Sequence, residues 1–379
     1  MIVLPVRAID TDPDIPWELF RHYTFYNPTC SGQNKLLLHL VGTFDNPVNT
    51  QLFPSLAANS GFHVLSLKYN NDVAAQTPCA MSPDLDCHYN FRREILEGFD
   101  YSSEVDVNEA NSIENRLIKL LQYMQNTQPL QGWEQYFTNN SIHWEMVTVS
   151  GHSQGGGHAA TLGIDRPLNG VLMFGSPNDF SVFYDQPAPW TSLEHLTPDS
   201  VYFSFNNIND GVAPFDWQYE SSLNIGLLNY GDSTNVENLA CPYNNSHILY
   251  SDTDSGALGS HASMIRDDET PLDLDGNPLY TEVWSYMLGL GCDALSIIEN
   301  SPLVIKHYPN PANQWLRIEL GMTKEPYSYQ IVNALNSTVQ SGTMRNENSL
   351  IDLANLSSGI YLVRVRSQRG FSTFTLIKQ

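Results

Sequence analysis

Residues 145–165 read EMVTVSGHSQGGGHAATLGID: a short apolar strand, a turn framed by glycines, and a helix. Within it, Gly151-His152-Ser153-Gln154-Gly155 is a G-x-S-x-G motif. A serine on so tight a strand-to-helix turn leaves no space for Cβ atoms at either end, which is why glycine stands there. The turn lifts the Ser153 hydroxyl clear of the sheet at the start of a helix. There the Gln154 backbone N–H and the helix dipole face any oxyanion that forms. Strand, turn and helix together mark Ser153 as a candidate nucleophile. The further glycines Gly156 and Gly157 suit either a catalytic turn or an ordinary glycine-rich connection.

The pattern repeats outward from this turn. Residues 35–41 (KLLLHLV) and 62–69 (FHVLSLKY) are short apolar runs, as buried parallel strands are. Residues 111–125 predict a helix with Ile113, Leu117, Leu120, Leu121 and Met124 on one face, with Asn111 and Glu114 as its capping box. Further strands are expected at 170–175, 200–206 and 247–251, with a closing helix at 280–289. This alternation predicts an α/β fold with a mostly parallel sheet flanked by helices.

After residue 300 the texture changes. Apolar residues recur with period two (Leu316, Ile318 and Leu320; Ile360, Leu362, Val363 and Val365) between Gly and Asn turns, predicting a small all-β sandwich. Charge divides at the same place. The 379 residues hold 18 basic and 41 acidic side chains, a net of −23. Residues 301–379 hold 8 basic and 4 acidic, net +4, leaving −23 − 4 = −27 for residues 1–300. Two domains are expected, 1–300 and 301–379. So acidic a chain repels phosphate backbones, which argues against nucleic acid as a partner. No apolar run approaches the ~20 residues of a membrane helix, and MIVLPVRAID is too short and poorly flanked for a signal peptide, so the expectation is either a cytosolic protein or a leader absent from this sequence.

A serine nucleophile needs a base, and the base needs an orienting carboxylate, in the chain order Ser, acid, His. Asp210 follows strand 200–206 in Asn207-Ile208-Asn209-Asp210-Gly211 and is the expected acid; Asp179, after strand 170–175, is the alternative. His261, in Gly259-Ser260-His261-Ala262 beyond the last strand, is the expected base. The second oxyanion donor is assigned to the Thr43 backbone in His39-Leu40-Val41-Gly42-Thr43-Phe44, beside that of Gln154. No cofactor and no metal are expected. The acidic stretch 267–277 reads as solvated turns rather than a calcium loop, lacking the closing glutamate of an EF-hand. Tyr184, Trp190, Trp217 and Tyr219 could line an acyl pocket or simply be core. Of Cys30, Cys79, Cys87, Cys241 and Cys292, Cys79 and Cys87 lie eight apart, as a disulfide or as buried thiols.

On GHSQGG, the strand alternation and the order Ser153, Asp210, His261, residues 1–300 resemble the α/β-hydrolase superfamily, specifically secreted bacterial serine esterases. The resemblance implies carboxylic ester hydrolysis through an acyl-enzyme, on small-molecule or polymeric esters. A serine peptidase or acyltransferase could use the same triad, and a non-catalytic carbohydrate- or ligand-binding protein could keep the fold. Two departures are the missing HGGG loop and a connection between strands 170–175 and 200–206 too short for a helical cap. Tyr308-Pro309-Asn310-Pro311-Ala312, Ile351-Asp352-Leu353, Leu356-Ser357-Ser358-Gly359-Ile360-Tyr361-Leu362 and Lys378 resemble the C-terminal sorting domain of type IX secretion. That implies export by the type IX machinery to the cell surface or medium, a leader trimmed from this sequence, and a disulfide between Cys79 and Cys87. A carbohydrate-binding sandwich is the alternative for the tail.

Overall fold

The computed structural model describes residues 1–16, 19–30, 32–273, 276–292, 305–320, 327–333, 338–344, 348–367 and 370–379. The chain divides into two compact units, Met1–Pro271 with Pro278–Ile297, and Leu272–Asn277 with Ile298–Gln379. The expected 300/301 boundary, Leu274 and Asp275 of the acidic stretch, and the Leu320 side chain lie outside the described residues.

In the first unit nine strands share one sheet: β1 (Ile2–Arg7), β2 (Arg21–Tyr26), β3 (Leu36–Leu40), β4 (His63–Leu67), β5 (Val147–His152), β6 (Gly170–Phe174), β7 (Tyr202–Asn207), β8 (Thr234–Asn235) and β9 (Ile248–Ser251). Their order across the sheet is β1-β2-β4-β3-β5-β6-β7-β9-β8. Pairing is parallel from β4 through to β8, with Leu38 set between Leu65 and Val149. Every residue of β3, β5 and β6 is buried, because helices cover both faces and an unbroken apolar run then costs nothing in exposure. Leu52–Asn59 packs under β2, β3 and β4 and meets Thr281–Met287, with the Phe53 and Trp284 rings 5.9 Å apart. Cys87–Glu97, Ile113–Thr127 and Gln154–Asp165 form another packed group.

The fold class expected from the sequence needs correction. Of fifteen strand pairings among the described residues, nine are antiparallel and six parallel. The chain as a whole is therefore a mixed assembly of α and β structure, with parallel strand pairing confined to the seven strands from β4 to β8 of one sheet. The α/β-hydrolase reading misses the edge where β1 and β2 run antiparallel into β4. Only Val6 of β1 is buried, and Arg21, His22 and Thr24 break any apolar run in β2, so neither strand carries the signature of a buried parallel strand. It also misses the small ribbons Phe137–Thr138 with Ser141–Ile142 and Phe180–Ser181 with Gln186–Pro187.

Other details also differ. The helix expected at 111–125 starts at Ile113 and is capped by Ser112, whose Oγ accepts the Asn115 N–H at 3.1 Å; Asn111 lies in the preceding turn. Its five expected core residues are all buried. The polar stretch 70–108 contains the helix Cys87–Glu97.

The second unit holds two antiparallel sheets. Ile305–Tyr308, Trp315–Leu320 and Asn348–Asp352 make one; Thr338–Met344, Tyr327–Val332, Gly359–Ser367 and Gly370–Lys378 make the other. Leu316, Ile318 and Ile351 of the first sheet pack with Ile331, Val363, Val365 and Leu376 of the second. Val363 and Val365 thus face inward, while Ile360 is exposed.

Candidate active site

Ser153 sits between the end of β5 and the helix Gln154–Asp165 with φ 51° and ψ −115°. A non-glycine residue is strained there, and the surroundings hold it: the Ser153 N–H donates to the Phe174 carbonyl at 2.7 Å. The framing glycines are required by close approach. A Cβ on Gly151 would lie 2.2 Å from the Gly155 backbone, and one on Gly155 would lie 2.1 Å from the Leu40 carbonyl oxygen. Gly157 has its own cause, since a side chain there would meet the Arg92 guanidinium at 2.2 Å.

Asp210 and His261 come together. Asp210, in the loop after β7, accepts His261 Nδ1–H on Oδ2 at 2.6 Å. The same oxygen accepts Gln218 Nε2–H at 3.0 Å, and Oδ1 accepts the N–H groups of Val212 and Ala213 at 2.8 and 2.9 Å. Four donors thus fix a fully buried carboxylate. His261 lies in the last turn of the short helix Gly256–Ala262 rather than on a loop as expected. Nδ1 is held by the carboxylate, which leaves Nε2 as the free ring nitrogen; no hydrogen-bond partner meets it among the described residues.

The serine strand and the base are joined through His152. Its ring lies 4.8 Å from that of His261, and its Nε2 is 2.9 Å from the His261 carbonyl oxygen. Burial keeps His152 neutral, holding it well below the usual histidine range; its proton then sits on Nε2 and is donated to that carbonyl. Gly175, next to the carbonyl that holds Ser153, is equally near: a Cβ there would lie 3.4 Å from His261 Cε1. No hydrogen bond joins Ser153 Oγ to His261 among the described residues; in enzymes without substrate that bond is commonly long.

The loop after β3 approaches Ser153 closely. A Cβ on Gly42 would lie 3.4 Å from Ser153 Cβ and 3.0 Å from His152 Nδ1. The Thr43 hydroxyl donates to Gln154 Oε1 at 3.0 Å, and the Ala75 N–H donates to the same oxygen at 3.1 Å. Asn71 Nδ2 bonds the carbonyls of Gly42 and Asp45 at 2.5 and 2.9 Å. Among the described residues no acceptor meets the backbone N–H of Thr43 or Gln154, so both remain free to bind an anion.

Asp179, the alternative acid, is engaged elsewhere. Arg92 Nε and Nη2 donate to its two oxygens at 2.6 and 2.5 Å, and Trp190 Nε1 donates at 2.8 Å. Burial would raise its pKa, but Arg92 outweighs that and holds it at about 2. Of the aromatics considered for an acyl pocket, Trp190 is buried on Asp179 and Trp217 stacks on Phe180 at 4.6 Å. The hydroxyls of Tyr184 and Tyr219 bond the Pro83 carbonyl and Asp232. In the acidic stretch, Asp267 accepts the N–H groups of Gln51 and Leu52 at 2.9 Å, Asp268 pairs with Arg266, and Asp273 accepts from Asn277. The described residues contain no cluster suited to a metal ion.

Cys79 is bonded to Cys87, and Cys241 to Cys292; Cys30 is a half-buried thiol. The second pair, 51 residues apart, carries no sequence signal. His152 is expected from its place in the turn to pack beside the serine, whereas Arg92, Asn71 and Gln218 are supporting residues that the sequence does not single out. Only Gln218 has a local clue, lying on the helix that follows the Asp210 turn.

Buried histidines set an acid limit. Burial holds His22 and His39 at about 3, with Arg116 adding to the effect at His22. Both titrate near 6.5 when unfolded. Below pH 6.5 the unfolded chain binds more protons, so their stabilisation is complete above that pH and is lost as pH falls towards 3. Each should cost about 1.4 kcal/mol per pH unit in that window. Asp267, raised to about 6 by burial, acts in the opposite sense over pH 4–6, its stabilisation being lost as pH rises. Urea denaturation at pH 7 and pH 5 should show the lower midpoint at pH 5; equal midpoints would contradict the histidine assignment.

Residues 306–379 match the family model of the secretion system C-terminal sorting domain. The tail is a type IX secretion sorting domain. With that domain the protein is secreted or displayed at the cell surface, and the secretion machinery is its partner. Among the described residues no helix is long and apolar enough to cross a membrane. No family model supports the hydrolase resemblance of residues 1–300, and no curated protein matches the chain. Among solved structures, a DUF3244 family protein with an immunoglobulin-like β-sandwich fold from Bacteroides vulgatus is 14% identical. It covers 19% of this chain and 82% of its own, with a TM-score of 0.17.

Proposed function

We propose that the first unit is a secreted serine hydrolase of carboxylic esters, with Ser153 as nucleophile, His261 as base and Asp210 as orienting acid. The resemblance to the hydrolase superfamily belongs to this reading. The observation that carries it is the 2.6 Å bond from His261 Nδ1 to the buried Asp210, beside the strained turn of Ser153. A structural histidine would not need its second nitrogen free and its neighbour's backbone strained.

In the proposed reaction Ser153 Oγ attacks the ester carbonyl carbon while its proton passes to His261 Nε2. Asp210 stabilises the imidazolium, and the Thr43 and Gln154 amides donate to the tetrahedral oxyanion. Collapse breaks the bond to the alcohol oxygen, which takes the proton from Nε2. Water then repeats the sequence on the acyl-enzyme and releases the acid. A fluorophosphonate probe should form one adduct, at Ser153, and Ser153→Ala should abolish both labelling and p-nitrophenyl acetate turnover. Absence of labelling on folded protein would end the proposal.

A further inference from the structure

We propose that the site acts on an uncharged, water-insoluble polyester held against an exposed apolar rim, which extends the ester-hydrolase reading and rests on it. The connections after five of the seven parallel strands expose apolar side chains, although the Ser153 turn after β5 does not. Phe44 follows β3, Val73 follows β4, Phe183 follows β6, Val212 follows β7 and Leu258 follows β9. Three of these loops carry the proposed chemistry: Phe44 adjoins Thr43, Val212 lies two residues after Asp210, and Leu258 lies three before His261. The last two loops touch, since a Cβ on Gly211 would lie 2.3 Å from Ala257 Cβ.

Phe44 is the most telling member. It is 74% exposed and adopts φ 59°, a conformation unfavourable to a bulky residue. Its N–H is tied to the Asn71 carbonyl at 2.9 Å. Strain spent on holding a phenyl ring in water has no return within the fold, but has one if the ring meets an apolar surface.

Charge and shape select the occupant. Residues 1–300 carry a net −27, which repels anionic bilayers and anionic polymers. Two depressions on the described surface, one lined by Phe20, Arg21, Tyr23 and Pro47 and the other by Arg93, Glu97, Leu162 and Arg166, include none of Ser153, Asp210 and His261 in their lining. A lipid ester would need a cleft for its acyl chain, whereas a polymer chain can lie across an open rim.

The test uses the full chain and polycaprolactone film. Ser153→Ala protein should adsorb to the film and remain bound in about 1 M NaCl, where charge attraction is screened out. Adding Phe44→Ser, Phe183→Ser and Leu258→Ser should lower adsorption about tenfold or more, since burial of these rings and branches is what holds the protein to the film. In the active protein, Val73→Ser with Phe183→Ser, both on connections that carry none of the proposed chemistry, should slow film hydrolysis about tenfold while p-nitrophenyl acetate kcat/KM changes less than about twofold. Unchanged adsorption of the triple variant would overturn the proposal. So would binding of Ser153→Ala protein to phosphatidylcholine vesicles in place of film. Loss of all ester turnover with adsorption intact would instead refute the hydrolase reading and leave the rim as a binding surface.

Discussion

Asp210→Asn should lower kcat on p-nitrophenyl acetate about 10⁴-fold with little change in KM, as loss of the orienting acid does in serine hydrolases. The four bonds to Asp210 explain why the loss should be large yet local. Val212 and Ala213 N–H both reach Oδ1, which an asparagine carbonyl can still accept. Its amide then faces both Gln218 Nε2 and His261 Nδ1, so His261 must offer Nδ1 as acceptor and place its proton on Nε2. That tautomer cannot take a proton from Ser153. Steady-state kinetics with a matched denaturation curve would separate this from unfolding. A loss below about tenfold, or an equal loss in Asp179→Asn with Asp210→Asn unaffected, would show that the acid is misassigned.

Arg92→Met should destabilise the first unit by about 3–5 kcal/mol, because it strands the buried Asp179 carboxylate without its cation. The side chains of both partners are almost wholly inaccessible, at 1% and 0%. Arg92 Nη1 also donates to the Gln154 carbonyl at 2.9 Å, so the Ser153 helix loses a support as well. Arg92→Met with Asp179→Leu should recover much of the loss, since replacing a whole buried pair by apolar groups is often close to neutral. Asp179 is held at about 2, below its unfolded value of 3.8, so the pair stabilises fully above pH 4. Its contribution disappears as pH falls from there towards 2. Urea denaturation followed by tryptophan fluorescence would measure the cycle; additive single and double effects would mean the pair is not coupled.

These two carboxylates also show what the sequence can and cannot convey. The pairing of Asp210 with His261 is legible because the proposed order Ser, acid, His restricts the acid to loops after particular strands. Asp179 meets the same rule, and only the partner decides: Arg92, 87 residues earlier, lies in a helix that local pattern reads as polar loop. The central strands are legible for a related reason, since full burial writes an apolar run that needs no partner to recognise. The edge strand β1 is mostly exposed, and polar residues such as His22 and Thr24 interrupt the buried β2, so neither writes such a run. His261 is found from chain order, but its place at a helix end is not, because Gly256 and Gly259 read as loop. The Cys241–Cys292 bond likewise joins segments that nothing local relates.

That bond has a practical meaning for anyone handling the protein. Cys241 and Cys292 bracket β9, the His261 helix and Thr281–Met287, so the segment presenting the imidazole is a covalent ring. Dithiothreitol in a purification buffer would open that ring, and cytoplasmic expression in a reducing host would never close it. Preparations made under the two regimes are chemically distinct molecules, and their rates belong in separate columns.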